Sequence, residues 1–175
     1  MKDLNSLVSL LACVICLGAA STVNAYSLSP INAGFNAVGT IVLKSPSSLQ
    51  LAVTCNVSLS GNIDSMGVGR FTSATLNGLS ALCISPQAML SYPMVWTVTN
   101  LVSGSSAGSL EGVGYSASAL GAPSSHCGPS TILVSYDNQT ARLTAINQPL
   151  SGSCTVQRLD VTILGSSAGP VAAIP

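Results

Sequence analysis

The sequence predicts an all-β fold, an antiparallel β-sandwich or barrel with two disulfide-stapled hairpin units, and three observations carry that prediction. From Leu49 to Ser60 the residues alternate: Leu49, Leu51, Val53, Cys55, Val57 and Leu59 against Gln50, Thr54, Asn56, Ser58 and Ser60, with only Ala52 out of step. A period of two puts the two sets on opposite faces of a pleated strand; a helix would scatter the apolar set round its axis. Elsewhere, apolar runs recur between Gly, Pro and Asn turns at roughly 10–15-residue intervals, with no 3.6-residue period of helical length. The third observation is a repeat. Cys55 is followed by a turn at 61–64, Arg70-Phe71-Thr72, Ala74, Asn77 and Leu79-Ser80-Ala81-Leu82-Cys83. Cys127 is followed by a turn at Asp137-Asn138, Arg142-Leu143-Thr144, Ala145, Asn147 and Leu150-Ser151-Gly152-Ser153-Cys154. The cysteines are 28 and 27 residues apart, so 49–83 and 127–154 read as copies of one cysteine–hairpin–cysteine unit.

Residues 1–25 are expected to be a signal peptide. Lys2 precedes an apolar run from Leu7 to Ala20, and Val23 and Ala25 occupy the small-residue positions of a cleavage site. The run is too short for a typical membrane span, and no later stretch is long and apolar enough. Cleavage as a lipoprotein before Cys13 is the weaker reading, because Leu11 suits the position poorly. The Cys13-x-x-Cys16 pair leaves with the signal. Residues 26–175 are then one exported β-domain, long enough to bury roughly 70% of its unfolded surface.

Within that domain, Ala37–Lys44 reads as a first strand ending at Ser45-Pro46, and Leu49–Ser60 follows. Arg70–Leu76 returns, and Asn77-Gly78 turns the chain toward Cys83. Tyr92–Thr99 is a strand with Tyr92, Met94, Trp96 and Val98 on one face, and Trp96, the single tryptophan, is the expected core anchor. The Ser/Gly/Ala-rich stretch 103–130 is expected to hold long loops, broken by a strand near Gly112–Ala119. Thr131–Tyr136, Arg142–Asn147 and Val156–Leu164 complete the strands, and 165–175 reads as a loosely ordered tail.

Four cysteines remain after export: Cys55, Cys83, Cys127 and Cys154. An even number in an exported chain points to two disulfides, for which three pairings exist. The repeat favours Cys55–Cys83 and Cys127–Cys154. Zinc is the rival, but these spacings lack the short C-x-x-C pairs of zinc folds.

Only 6% of the residues are charged, against about 25% in an ordinary globular protein. Beyond residue 25 the bases Lys44, Arg70, Arg142 and Arg158 balance the acids Asp64, Glu111, Asp137 and Asp160. Nucleic acid is excluded as a partner, because phosphate neutralisation needs clustered Lys and Arg. A surface of Ser, Thr, Asn and Gly also lacks like-charge repulsion, which favours neutral or hydrophobic interfaces, matrix components or further copies of the chain as partners.

Few groups are available for chemistry. His126, the sole histidine, adjoins Cys127, but a disulfide there removes the nucleophile. One histidine among scattered carboxylates makes a poor metal site, and an exposed loop position is expected for it. Gly-Ser-Ser-Ala-Gly at 104–108 and 165–169 matches G-x-S-x-G formally, but neither copy leads into a helix, and both read as flexible linker. Asn56-Val57-Ser58 and Asn138-Gln139-Thr140 fit a glycosylation sequon that this composition generates easily. There is no phosphate-cradling glycine loop. The reading is a binding, surface or structural protein with no catalytic residue and no cofactor.

The Cys55 strand, the Thr72–Cys83 approach, the Pro93…Trp96-Thr97-Val98 segment and the Cys127…Cys154 unit together resemble the alkane-oxidation activator proteins of the PraA/PraB type, over most of residues 40–165. Met94 and Val95 separate the proline from the tryptophan here, where the family has the two adjacent. The resemblance implies a small exported bacterial protein, at the cell surface or in the medium, that helps cells emulsify or take up hydrocarbons and has a part in biofilm adhesion. It supplies no catalytic residue. A self-assembling fibre or matrix subunit is the alternative, since long uncharged strands guard sheet edges poorly.

Overall fold

The computed structural model describes residues 26–84, 93–118, 121–166 and 168–175. The expected signal peptide, with Cys13 and Cys16, lies outside the described residues, as do Tyr92 and Ala119. Ten strands follow in chain order: β1 (Ser27–Ser29), β2 (Ala33–Lys44), β3 (Val53–Ile63), β4 (Gly69–Asn77), β5 (Met94–Val102), β6 (Ser105–Ala117), β7 (Ser125–Asp137), β8 (Arg142–Leu150), β9 (Cys154–Leu164) and β10 (Ala172–Ile174). Of the two predicted architectures the barrel is the one formed. Strands β2 to β9 close in sequence order, each antiparallel to the next, and β9 pairs back onto β2 from Asn36–Leu164 to Lys44–Thr155. β1 and β10 form a separate antiparallel ribbon.

Alternation builds the wall. Along β3, Cys55, Val57, Leu59 and Ile63 face inward while Thr54, Asn56, Ser58 and Ser60 face outward. An eight-stranded barrel has an interior just wide enough for side chains to fill, and here an aromatic cluster fills it. Trp96, 1% exposed, meets Tyr136 edge-on at 5.0 Å, and Phe35 meets Phe71 edge-on at 5.1 Å. Gly61 makes room for this cluster: a Cβ there would lie 2.4 Å from the Arg70 carbonyl oxygen and 2.9 Å from the Phe35 ring.

The two ends are closed differently. At the base, which carries the β3–β4, β5–β6 and β7–β8 turns, the β1–β10 ribbon inserts Leu28, Val171 and Ala173, all buried. The Leu28 N–H donates to the Gly67 carbonyl at 2.8 Å, and the Tyr136 hydroxyl donates to the Val171 carbonyl at 2.7 Å. The Asn138 side chain donates to the Ala173 carbonyl at 2.9 Å and accepts from the Ala173 N–H at 2.8 Å. Val171 and Ala173 are therefore bonded to the barrel within the stretch that the sequence predicts to be a loose tail. A three-residue strand carries no periodicity of its own, and its order comes from partners distant in sequence.

At the cap, a single 3-10 turn, Pro46–Ser48, folds over the opening. Ser45, Ser47, Ser48 and Ser125 are all buried there. The Ser47 N–H donates to Ser125 Oγ at 2.7 Å, and the Ser45 and Ser47 hydroxyls bond at 3.0 Å. Leu49 (φ 53°) and Gln50 (φ 62°) are left-handed, which ends the turn and delays the strand to Val53. The predicted strand start at Leu49 is thus corrected. Leu49 and Leu51 continue the apolar alternation but stand in solvent, 69% and 68% exposed.

The stretch 103–130 is also corrected, being mostly strands β6 and β7 rather than long loops. Its inward residues include Ser106, Gly108 and Ala117, whose small side chains give little hydropathy contrast to read. The first Gly-Ser-Ser-Ala-Gly copy is accordingly strand, not linker.

Candidate functional site

Both cysteine pairs are bridged as the repeat favours, and both bridges sit near the cap. Cys55–Cys83 has a Cα separation of 5.5 Å and ties the one-turn helix α1 (Ala81–Ile84) to β3. Cys127–Cys154, at 5.6 Å, ties β7 to the start of β9. The repeat is visible in the turns as well. Asp64 accepts the Met66 and Val68 N–H groups and pairs with Arg70 at 3.0 Å. Asp137 accepts the Gln139 and Thr140 N–H groups, opposite Arg142. The residues after the two arginines, Phe71 and Leu143, both point into the core.

The second bridge spans a weak seam. The β7–β8 ladder runs from Asp137–Arg142 to Ser135–Thr144 and, among the described residues, stops there. Asn147, left-handed at φ 50°, bends β8 away, and the Gln148 side chain substitutes for the strand by accepting the Leu133 N–H at 2.8 Å. Gly152, at φ 83° in the β8–β9 turn beside the bridge, lies so close to the His126 carbonyl that a Cβ would be 2.0 Å from it.

Exposed apolar side chains stand at both ends of the barrel, Ile31, Met66, Val102 and Ile174 at the base and four more at the cap. Leu49 and Leu51 rise from the β2–β3 connection, and Leu79 and Ile84, 106% and 63% exposed, rise from the segment after β4. Ala52, Val53, Gly78 and Leu79 line a shallow groove between the two segments. Sequence reading places Leu49 and Leu51 in the core, counts Leu79 only as part of the repeat, and gives Ile84 no role. Charge gaps are the signal that marks this end: no charged residue occurs from 45 to 63 or from 71 to 110.

The charges lie elsewhere. Asp64, Arg70, Asp137 and Arg142 belong to the base turns, while Glu111, Arg158 and Asp160 sit on the wall, leaving Lys44 alone near the cap. Asp160 receives Arg142 (Nε to Oδ1, 3.1 Å) and Arg158 (Nη2 to Oδ2, 2.9 Å). These bonds, Arg142 first, hold its carboxyl below the usual range. Asp64 and Asp137 are held low chiefly by backbone N–H donors, Val68 and Thr140 respectively.

The candidates for chemistry are not brought together. His126 is exposed on the outer face of β7, in a strand rather than a loop, with Ser116 Oγ 3.2 Å from its Nδ1. Ser106 is buried near the base and bonded to the Tyr136 carbonyl. Ser116 lies ten residues along β6 from Ser106, which at about 3.3 Å per residue separates Ser106 from His126 by roughly 33 Å. A Ser106–His126 dyad is geometrically impossible. Beneath the first bridge, Leu43, Val53, Cys55, Leu82 and Tyr115 enclose about 10 Å³, room for about one water and not for an alkyl chain.

The sequence model of a family described as alkane oxidation protein activator PraA/PraB-like matches residues 1–169. The chain belongs to this family. Among curated proteins and solved structures, none matches it. The description of the PraA/PraB-like family names an activator of alkane oxidation, and this member offers a packed barrel whose accessible features are its outer wall and its two ends.

Proposed function

We propose that this PraA/PraB-like protein is exported and promotes alkane use without catalysis, by adsorbing at oil–water or cell-surface interfaces. The observation that carries the reading is an exterior with almost no charge that shows apolar side chains to solvent. Val38, Leu133, Ile146 and Leu164 are exposed on the wall, in a chain of which 6% is charged. Adsorption at a hydrocarbon surface costs most where ionised groups lose water, and this surface has few to lose. The filled interior favours an action from outside the barrel over carriage of alkanes within it. Strand addition could serve the fibre alternative only at the short β4–β5 and β7–β8 ladders, because the other barrel strands are paired at length on both sides.

The test is the tension of a hexadecane–water interface under purified protein. Lowering beyond that given by a highly charged globular protein of the same size is expected; equal lowering refutes the reading. Export is checked on its own by sequencing the N-terminus of protein recovered from the culture medium, where Tyr26 is the expected first residue.

A further inference from the structure

We infer that the barrel is oriented at such an interface: the cap, carrying Leu49, Leu51, Leu79 and Ile84, enters the hydrocarbon, and the base stays in water. This deepens the interfacial reading proposed above and rests on it. Three features of the molecule argue for it together.

The first is the polarity of the barrel axis. Both ends expose apolar side chains, so charge decides between them: the Asp64–Arg70 pair and Asp137 opposite Arg142 lie in the base turns, while the described connections at the cap carry no Asp, Glu, Lys or Arg. A liquid hydrocarbon offers no hydrogen bond and no counter-charge, so it selects the face that needs none. Anionic lipid headgroups would select clustered cations, and this end has one lysine, Lys44, and one histidine, His126, rather than a cluster.

The second is that the backbone of the serine turn is bonded from within, so this part of the cap can leave water at low cost. Ser48 Oγ takes the Ser45 N–H at 3.1 Å and donates to the Leu51 carbonyl at 2.8 Å. The Gln50 N–H reaches the Ser45 carbonyl at 2.9 Å, and the Gln50 side chain donates to the Ser153 carbonyl at 2.9 Å. An uncompensated peptide group entering oil would cost several kcal/mol.

The third is preorganisation. The Cys55–Cys83 bridge fixes α1 against β3, and a Cβ added at Gly78 would lie 3.4 Å from the Cys83 sulfur. With the Leu49 and Leu51 N–H groups bonded to the Pro46 and Ser48 carbonyls, the backbone carrying these side chains has less freedom to lose on adsorption.

The experiment compares hexadecane adsorption of three proteins with intact disulfides: the wild type, L51D/L79D at the cap, and M66D at the base. Met66 is as exposed as the cap leucines, at 72%, so all three sites leave the core untouched. The expected result is that L51D/L79D needs at least about tenfold more protein for half-maximal lowering of tension, since losing even one of the two leucines from the oil counts for about a factor of ten, while M66D matches the wild type. Equal loss in M66D, or none in L51D/L79D, overturns the orientation while the interfacial reading stands. A wild type that lowers tension no more than the charged control overturns both. Binding of the wild type to zwitterionic lipid vesicles as strong as to hexadecane, or a dimer in sedimentation that L51D/L79D abolishes, overturns hydrocarbon as the occupant of the cap.

Discussion

Replacing Cys127 and Cys154 together by alanine separates two roles that the bridges combine. The loops closed by the two disulfides are nearly equal, 28 and 27 residues. The chain-entropy relation then gives each bridge about 3.6 kcal/mol at 25 °C, or roughly a 10 °C shift in Tm for a domain of this size. Either double alanine variant should lose a similar amount globally. Locally they should differ. β3 and β4 stay paired from Ile63–Gly69 to Asn56–Asn77 without their bridge, whereas β7 and β8 are joined by ladder only at the base end. Near the second bridge the seam relies on the Gly128 N–H to the Ser151 carbonyl at 3.1 Å, the Ser151 N–H to Ser130 Oγ at 3.0 Å and the Leu133 N–H to Gln148. Hydrogen exchange read amide by amide, together with denaturant unfolding, is the assay. In C127A/C154A the Gly128, Leu133 and Ser151 amides should exchange at least tenfold faster than expected from the global loss, while C55A/C83A should leave them at the global value. Equal protection of those amides in both variants refutes the seam argument, and a global loss under 1 kcal/mol refutes the entropic one.

Trp96→Ala should cost about 3–5 kcal/mol, because the indole touches Phe35, Phe71 and Tyr136 at once; chemical denaturation measures it. Asn138→Ala should cost about 1–3 kcal/mol by stripping both bonds from Ala173, and limited proteolysis should then remove the C-terminal residues from an otherwise intact barrel. Stability should fall at both pH extremes in thermal scans. Asp64, Asp137 and Asp160 titrate below their ordinary 3.8, so their contribution is present above that value and is lost as pH drops through the lowered ones. Burial, with the Asp137 charge second, pushes the Tyr136 phenol from 10.0 up to about 12, so its contribution is complete below 10 and is lost as pH rises toward 12. Tyr136→Phe should flatten the alkaline limb while giving up the bond to the Val171 carbonyl; an unchanged limb assigns it to another group.

Much of the fold was legible because a strand writes its two faces into alternating residues. Cys55–Ser60 and Leu159–Ile163 show this, and the repeat of Arg-apolar-Thr between cysteines marked both disulfide pairs before any geometry was known. Alternation fails where side chains are small: Ser106, Gly108 and Ala117 face inward, yet their composition is that of a loop. It misleads where the pattern outruns the strand, as at Leu49 and Leu51, because left-handed backbone at Leu49 and Gln50 is set by the buried serine turn behind it.

Of the candidate surface, the sequence by itself determined the ingredients: scarce charge, long uncharged intervals and leucines at 49, 51 and 79. Only the tertiary structure decided that those intervals meet at one end of a closed barrel and the ion-paired turns at the other. The physical reason is that an up-and-down barrel sends alternate connections to opposite ends. Residues scattered along the chain are sorted onto two poles by strand direction, a property no local window of sequence contains.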